Sequence, residues 1–173
     1  MSRFGGEERA RLAAVMLLTL RGTPFVYYGE EIGMSDLPEA SGSDPEGRDR
    51  CRAPMPWSDV QAQDADPTSM LSLYRRLIWL RRGSAALQVG EYRPVSVAGE
   101  GVFVFERTSG AERMLVALNF GEEAVSLRGA SPVLTAGGRR LVSTHLVPEG
   151  RELPLERHEL RPFEAVVFEV RQL

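Results

Sequence analysis

Residues 22–34 read GTPFVYYGEEIGM, and this stretch decides how the first half of the chain folds. Phe25, Val26, Tyr27 and Tyr28 form a short β-branched and aromatic run without polar alternation. That is the pattern of a strand buried on both faces, as in a parallel sheet. Upstream, residues 7–21 read as a helix, with Glu7 and Glu8 in the first turn, Arg21 in the last and Gly22 as the stop. Leu12 to Leu18 leave this helix no polar face, so it expects protein on most sides.

Downstream, residues 35–66 change to Gly, Pro, Asp, Ser and Arg and read as one long loop, of a length that is usually functional or disordered, and the charged and aromatic content of Arg48 to Trp57 favours function. Asp66 is expected to cap a further helix with Pro67 at its first position, and Met70, Leu71, Tyr74, Leu77 and Ile78 form its apolar stripe as far as Arg82 and Gly83. Trp79 is read as core. Beyond Gly90 the periodicity falls to two, with strands expected near residues 102–105, 114–118, 124–127, 140–143 and 165–170, the spacing of an antiparallel sandwich.

A parallel strand needs a parallel neighbour, and nothing before Glu7 supplies one. The pattern therefore predicts an α/β fragment, residues 1–84, built as the last one and a half β/α units of a barrel, followed by an all-β domain, residues 85–173. The helix and strand of the first part would leave an apolar surface, so self-association of the isolated chain is expected.

Composition narrows the function. The net charge is −3, and all 21 basic residues are arginines, scattered singly or in pairs. This is unlike a nucleic-acid-binding face, and no nucleic-acid partner is expected. The single cysteine, Cys51, excludes an intrachain disulfide, and His145 and His158 lack ligand spacing, so no metal centre is expected. There is no apolar leader and no run long enough to span a bilayer, so no membrane partner is expected and the cytoplasm is the default compartment.

The run from Gly22 to Met34 resembles the eighth barrel strand of α-glucosidases, oligo-glucosidases and trehalose synthases of the α-amylase superfamily. A second motif follows at the right distance: Arg48, Asp49, Arg50, Cys51, Arg52, Ala53, Pro54, Met55, Pro56, Trp57 resembles the loop after that strand. Residues 73–78 with Leu80 and Arg81 resemble the eighth helix, and Leu115 to Phe120 a core strand of the C-terminal sandwich. The resemblance implies a (β/α)8 TIM barrel and retaining hydrolysis of terminal α-linked glucose by two carboxylates at the C-terminal ends of its strands, without an organic cofactor. It places the nucleophile, the acid/base and a third Asp, preceded by Asn and His, on earlier strands. No His-Asp pair occurs in the sequence, so no catalytic residue is assigned and the chain alone is expected to be inactive.

Candidate substrate-binding residues remain. Arg48, Asp49 and Arg52 can hydrogen-bond or orient polar groups at the entrance, and Trp57 offers a face for a pyranose ring. The bland alternative is a loop pinned by its own Arg–Asp pairs and plugged by Trp57. Glu30 and Glu31, as strand neighbours, point to opposite faces, so only one can meet a pocket. Glu30 is the candidate, against a structural role for the pair. Tyr27 and Tyr28 are read as barrel packing. A glucosyl isomerase of the trehalose synthase kind, or a noncatalytic carbohydrate-binding or assembly module that completes a separately encoded N-terminal barrel portion, are the alternatives.

Overall fold

A computed structural model describes residues 4–37, 49–145, 150 and 152–171. The first helix, α1 (Glu7–Thr19), carries Glu7 and Glu8 in its first turn, where they favour the macrodipole. Its last turn contains no basic residue. Two arginines distant in sequence take that place. Arg81 donates to the carbonyls of Leu18, Leu20 and Gly22 at 2.9, 3.1 and 2.5 Å, and Arg107 donates to Thr19 O at 2.6 Å. The orphan carbonyls of a helix end are thus satisfied from outside the helix.

Helix α2 (Trp57–Ala65) lies in the stretch expected as loop and buries none of its residues. Only nine residues long and without an apolar stripe, it gives no periodic signal to read. Helix α3 (Met70–Gly83) starts later than the sequence suggests: Ser69 is the cap, accepting from Ser72 N at 3.1 Å. Asp66 instead closes a local turn, taking the amide and hydroxyl of Thr68. A short helix, α4 (Ala85–Gln88), follows, capped by Ser84.

The strands are β1 (Glu91–Pro94), β2 (Val102–Ser109), β3 (Glu112–Asn119), β4 (Val125–Ser126), β5 (Gly137–Ser143), β6 (Glu152–Pro154), β7 (Glu159–Leu160) and β8 (Ala165–Val170). Between β4 and β5 lies α5 (Pro132–Thr135). Six strands form an antiparallel sheet in the order β1-β2-β3-β8-β5-β6, and β4 pairs with β7. Both edge strands of the large sheet end on proline, Pro94 and Pro154, which withholds an amide donor at each edge.

Alternation along the central strands explains the layering. Val116 and Leu118 on β3, with Ala165 and Val167 on β8, face one cluster together with Leu12, Leu18, Leu73 and Leu77 of α1 and α3. Leu115, Ala117, Val166 and Phe168 face the opposite cluster with Leu127, Leu134, Leu155 and Leu160. The antiparallel pairing and period-two alternation agree with the sequence. The second layer, however, is a strand pair with short helical turns, not a second sheet of similar size. The sheet itself covers much of α1: Leu12, Ala14, Val15 and Leu18 are buried within this chain.

The decisive run behaves differently from its expectation. Residues 23–27 form no regular secondary structure and belong to no sheet, and Phe25, Val26, Tyr27 and Tyr28 are exposed. A strand is defined by its partner, and every strand among the described residues pairs elsewhere. Trp79 is likewise not core: it is 65% exposed, with the Arg82 guanidinium 4.8 Å from its ring centre.

Candidate functional site

A cleft of about 570 Å³ opens where this run turns. Gly29 makes the turn possible. Its φ is 88°, and a Cβ there would sit 2.8 Å from the Met34 sulfur. The chain then forms a 3-10 turn at Glu30–Ile32, and Met34 N closes back on Gly29 O at 2.8 Å. The turn separates the two glutamates. Glu30 lines the cleft with its Oε2 accepting from Tyr27 N at 3.2 Å. Glu31 turns inward, where its Oε2 is buried without a hydrogen-bond partner. The two side chains part company at a 3-10 turn, where strand alternation was expected to separate them. Burial, aided by Glu30 and Glu31, pushes the Tyr74 phenol up to about 12.

Three polar ties hold this wall. Tyr28 Oη donates to Ala53 O at 3.1 Å, which joins it to the second sequence motif. Arg50 Nε donates to Leu37 O at 2.9 Å while Leu37 N returns a bond to Arg50 O. Gln63 of α2 donates from Nε2 to Ile32 O at 2.8 Å and accepts from Leu71 N, the start of α3, at 3.1 Å.

The structure thus brings Glu30 and Arg52 to one cleft, with Phe4, Tyr27, Tyr28 and Asp36. Asp49 opens the short 3-10 turn Asp49–Cys51, and Arg48 lies outside the described residues. Trp57 begins α2, is 69% exposed and does not line the cleft. Tyr27 and Tyr28, expected as packing, are instead lining residues with ring centres 4.8 Å apart. Their place directly before Gly29 and Glu30, at the end of the run, was the available signal; nothing in the sequence singled out Phe4. The assembled groups offer aromatic faces, a planar cationic donor and carboxylate acceptors, the kinds of group that recognise a polyhydroxylated ligand. Among the described residues no group of three or more His, Cys, Asp or Glu could hold a metal ion, and no helix is long and apolar enough to cross a membrane.

Residues 1–90 match the family described as Alpha amylase, catalytic domain. The chain belongs to this family. An oligo-1,6-glucosidase of Parageobacillus thermoglucosidasius is 28% identical over 228 residues, spanning 99% of this chain and 40% of that protein. An amino acid transporter heavy chain of Oryctolagus cuniculus is 34% identical over 190 residues, spanning 97% of this chain and 34% of the other. The trehalulose synthase of Pseudomonas mesoacidophila superposes with a TM-score of 0.79 at 23% identity, over 98% of this chain and 40% of that one. That last likeness is one of fold. The α-amylase family chain described here spans about 40% of the length of its glucosidase relative.

Proposed function

We propose that this chain is the C-terminal portion of a retaining α-glucosidase-type glycoside hydrolase that acts on α-glucosidic oligosaccharides in the cytoplasm. One observation carries the reading: the Tyr27–Glu30 wall and Arg52 meet in a single cleft at the end of the run that resembles the eighth barrel strand. In this reading residues 1–84 complete a (β/α)8 barrel and residues 85–173 form its C-terminal β-sandwich domain. The preceding barrel strands pair with the exposed segment around Phe25 and Val26, and they carry the nucleophile and the acid/base. Retaining chemistry requires two carboxyls about 5–5.5 Å apart across the scissile bond. Glu30 already accepts the Tyr27 amide, which suits holding a sugar or the wall better than attacking an anomeric carbon.

Arg48, Asp49, Arg52, Trp57 and Glu30 form the substrate-side contribution of this chain, joined by Tyr27 and Tyr28. The isolated chain is therefore expected to release no chromophore from an aryl α-glucoside, and turnover clearly above blank overturns the assignment of chemistry to the missing strands. Without its barrel partner the exposed segment is expected to drive self-association, read by sedimentation.

A second reading, a noncatalytic carbohydrate-binding or assembly module, draws support from the likeness to a protein named as a transporter heavy chain. Maltose titration separates the two: measurable affinity in the isolated chain favours the module. A third, a glucosyl isomerase, is separated from the hydrolase by product analysis of the complete enzyme on maltose.

A further inference from the structure

Arg107 sits on β2, in the antiparallel half, and is fully buried. Its Nη1 donates to Thr19 O at 2.6 Å and its Nη2 to Gly90 O at 3.2 Å, while its Nε has no partner. Arg81, 8% exposed, donates to Leu18, Leu20 and Gly22. Neither guanidinium makes an ion pair among the described residues. Two buried like charges side by side, without a counter-charge, are costly, and apolar residues of similar volume would remove that cost. What the pair obtains in return is fixed contact with the carbonyls of residues 18, 19, 20 and 22.

Those four carbonyls end at the root of the cleft wall. From Gly22, whose φ is 118°, the chain runs without helix or sheet partners to Tyr27. Five residues reach at most about 17 Å, so a tilt of about 5° at the root moves the tip by up to about 1.5 Å. The wall carries Tyr27, Tyr28 and Glu30, and its far end is tied by Tyr28 to Ala53 and by Gln63 to Ile32.

We propose that Arg107 and Arg81 are positioning residues: a clamp through which the C-terminal antiparallel sheet sets the direction of the cleft wall. The sheet then serves the cleft as an anchor, with Arg107 as its point of contact. The inference deepens the sugar-site reading but is tested without a sugar. Cys51 lines the cleft close to Tyr28, and as the chain's single thiol it reports on the wall directly.

In the full chain, Arg107→Met is expected to speed modification of Cys51 by a disulfide reagent, and amide exchange in residues 20–30, by roughly tenfold, the effect of losing a charge-assisted bond. Amides of β3 and β8 should be unchanged. Arg107→Lys keeps the charge and one donor and should restore part of the wild-type rate; it also decides the matter alone if Arg107→Met does not fold. Unchanged Cys51 and amide rates, or equal acceleration in β3 and β8, overturn the clamp. Maltose affinity, measured on the same variants, reports separately: no binding by the wild type counts against the carbohydrate-binding module and leaves both the hydrolase reading and the clamp standing.

Discussion

The guanidinium of Arg9 on α1 lies 4.8 Å from the ring centre of Phe163, the one non-glycine residue with positive φ (51°) among those described. The pair joins the first helix to the corner before β8, so a strained backbone conformation is held where the two halves of the chain meet. Phe163→Ala removes the ring but keeps a Cβ in the left-handed region. Phe163→Gly removes both. The expected loss is about 1–2 kcal/mol for Ala, with Gly less destabilising by about 0.5–1 kcal/mol, the reverse of the usual order. Chemical denaturation of both variants checks the ranking.

The same corner depends on Glu164, 2% exposed, whose carboxylate accepts from Ser143 Oγ at 2.7 Å and from Arg161 N at 2.9 Å. Both partners are donors. Glu164→Gln turns an amide NH2 towards one of them and should cost about 1–3 kcal/mol, more than Ser143→Ala, which leaves the carboxylate its other bond. Equal losses in urea denaturation would contradict this ordering.

His158 supplies a pH dependence. Burial holds its pKa below the ordinary 6.5, outweighing the nearby Glu164, and its Nε2 is buried without a partner while the ring meets Phe168 edge-on at 5.0 Å. The folded state therefore binds its proton less readily than the unfolded chain. Its contribution is full above the ordinary value and is lost as pH falls from there through the depressed folded value. Between wild type and His158→Gln, the gap in denaturation midpoint should narrow as pH drops below about 6.5. A gap independent of pH would show that the imidazole binds its proton equally well in the folded and unfolded states.

Gln63 is expected to matter despite lying on a helix that buries nothing. Gln63→Ala strands Ile32 O and the Leu71 amide, and should cost about 1 kcal/mol. Faster amide exchange at Gly33 and Met34, whose bonds close the turn onto Glu30 and Gly29, is the signature to look for. If only the α3 amides respond, the tie to the cleft wall is not functional.

The strand positions of β2, β3, β5 and β8 were legible because alternation of apolar residues is a local signal that burial on a sheet enforces. The expectation at residues 124–127 likewise met β4, whereas strands as short as β6 and β7 carry too few residues for periodicity. Helix α3 was read correctly as an element and misplaced at its start, since Asp66 and Ser69 are both good caps and only packing selects between them.

Sequence alone determined that the second half is antiparallel, because alternation and spacing are enough for that, and the resemblance of the Gly22–Met34 and Arg48–Trp57 runs to one family tied those two stretches together. Tertiary structure decided the rest. Whether Phe25 to Tyr28 forms a strand depends on a partner, not on its composition, and the helix end at Thr19 is completed by Arg81 and Arg107, 62 and 88 residues away in the chain. A buried guanidinium finds carbonyls only after the fold has brought them within about 3 Å, and no local pattern announces that meeting.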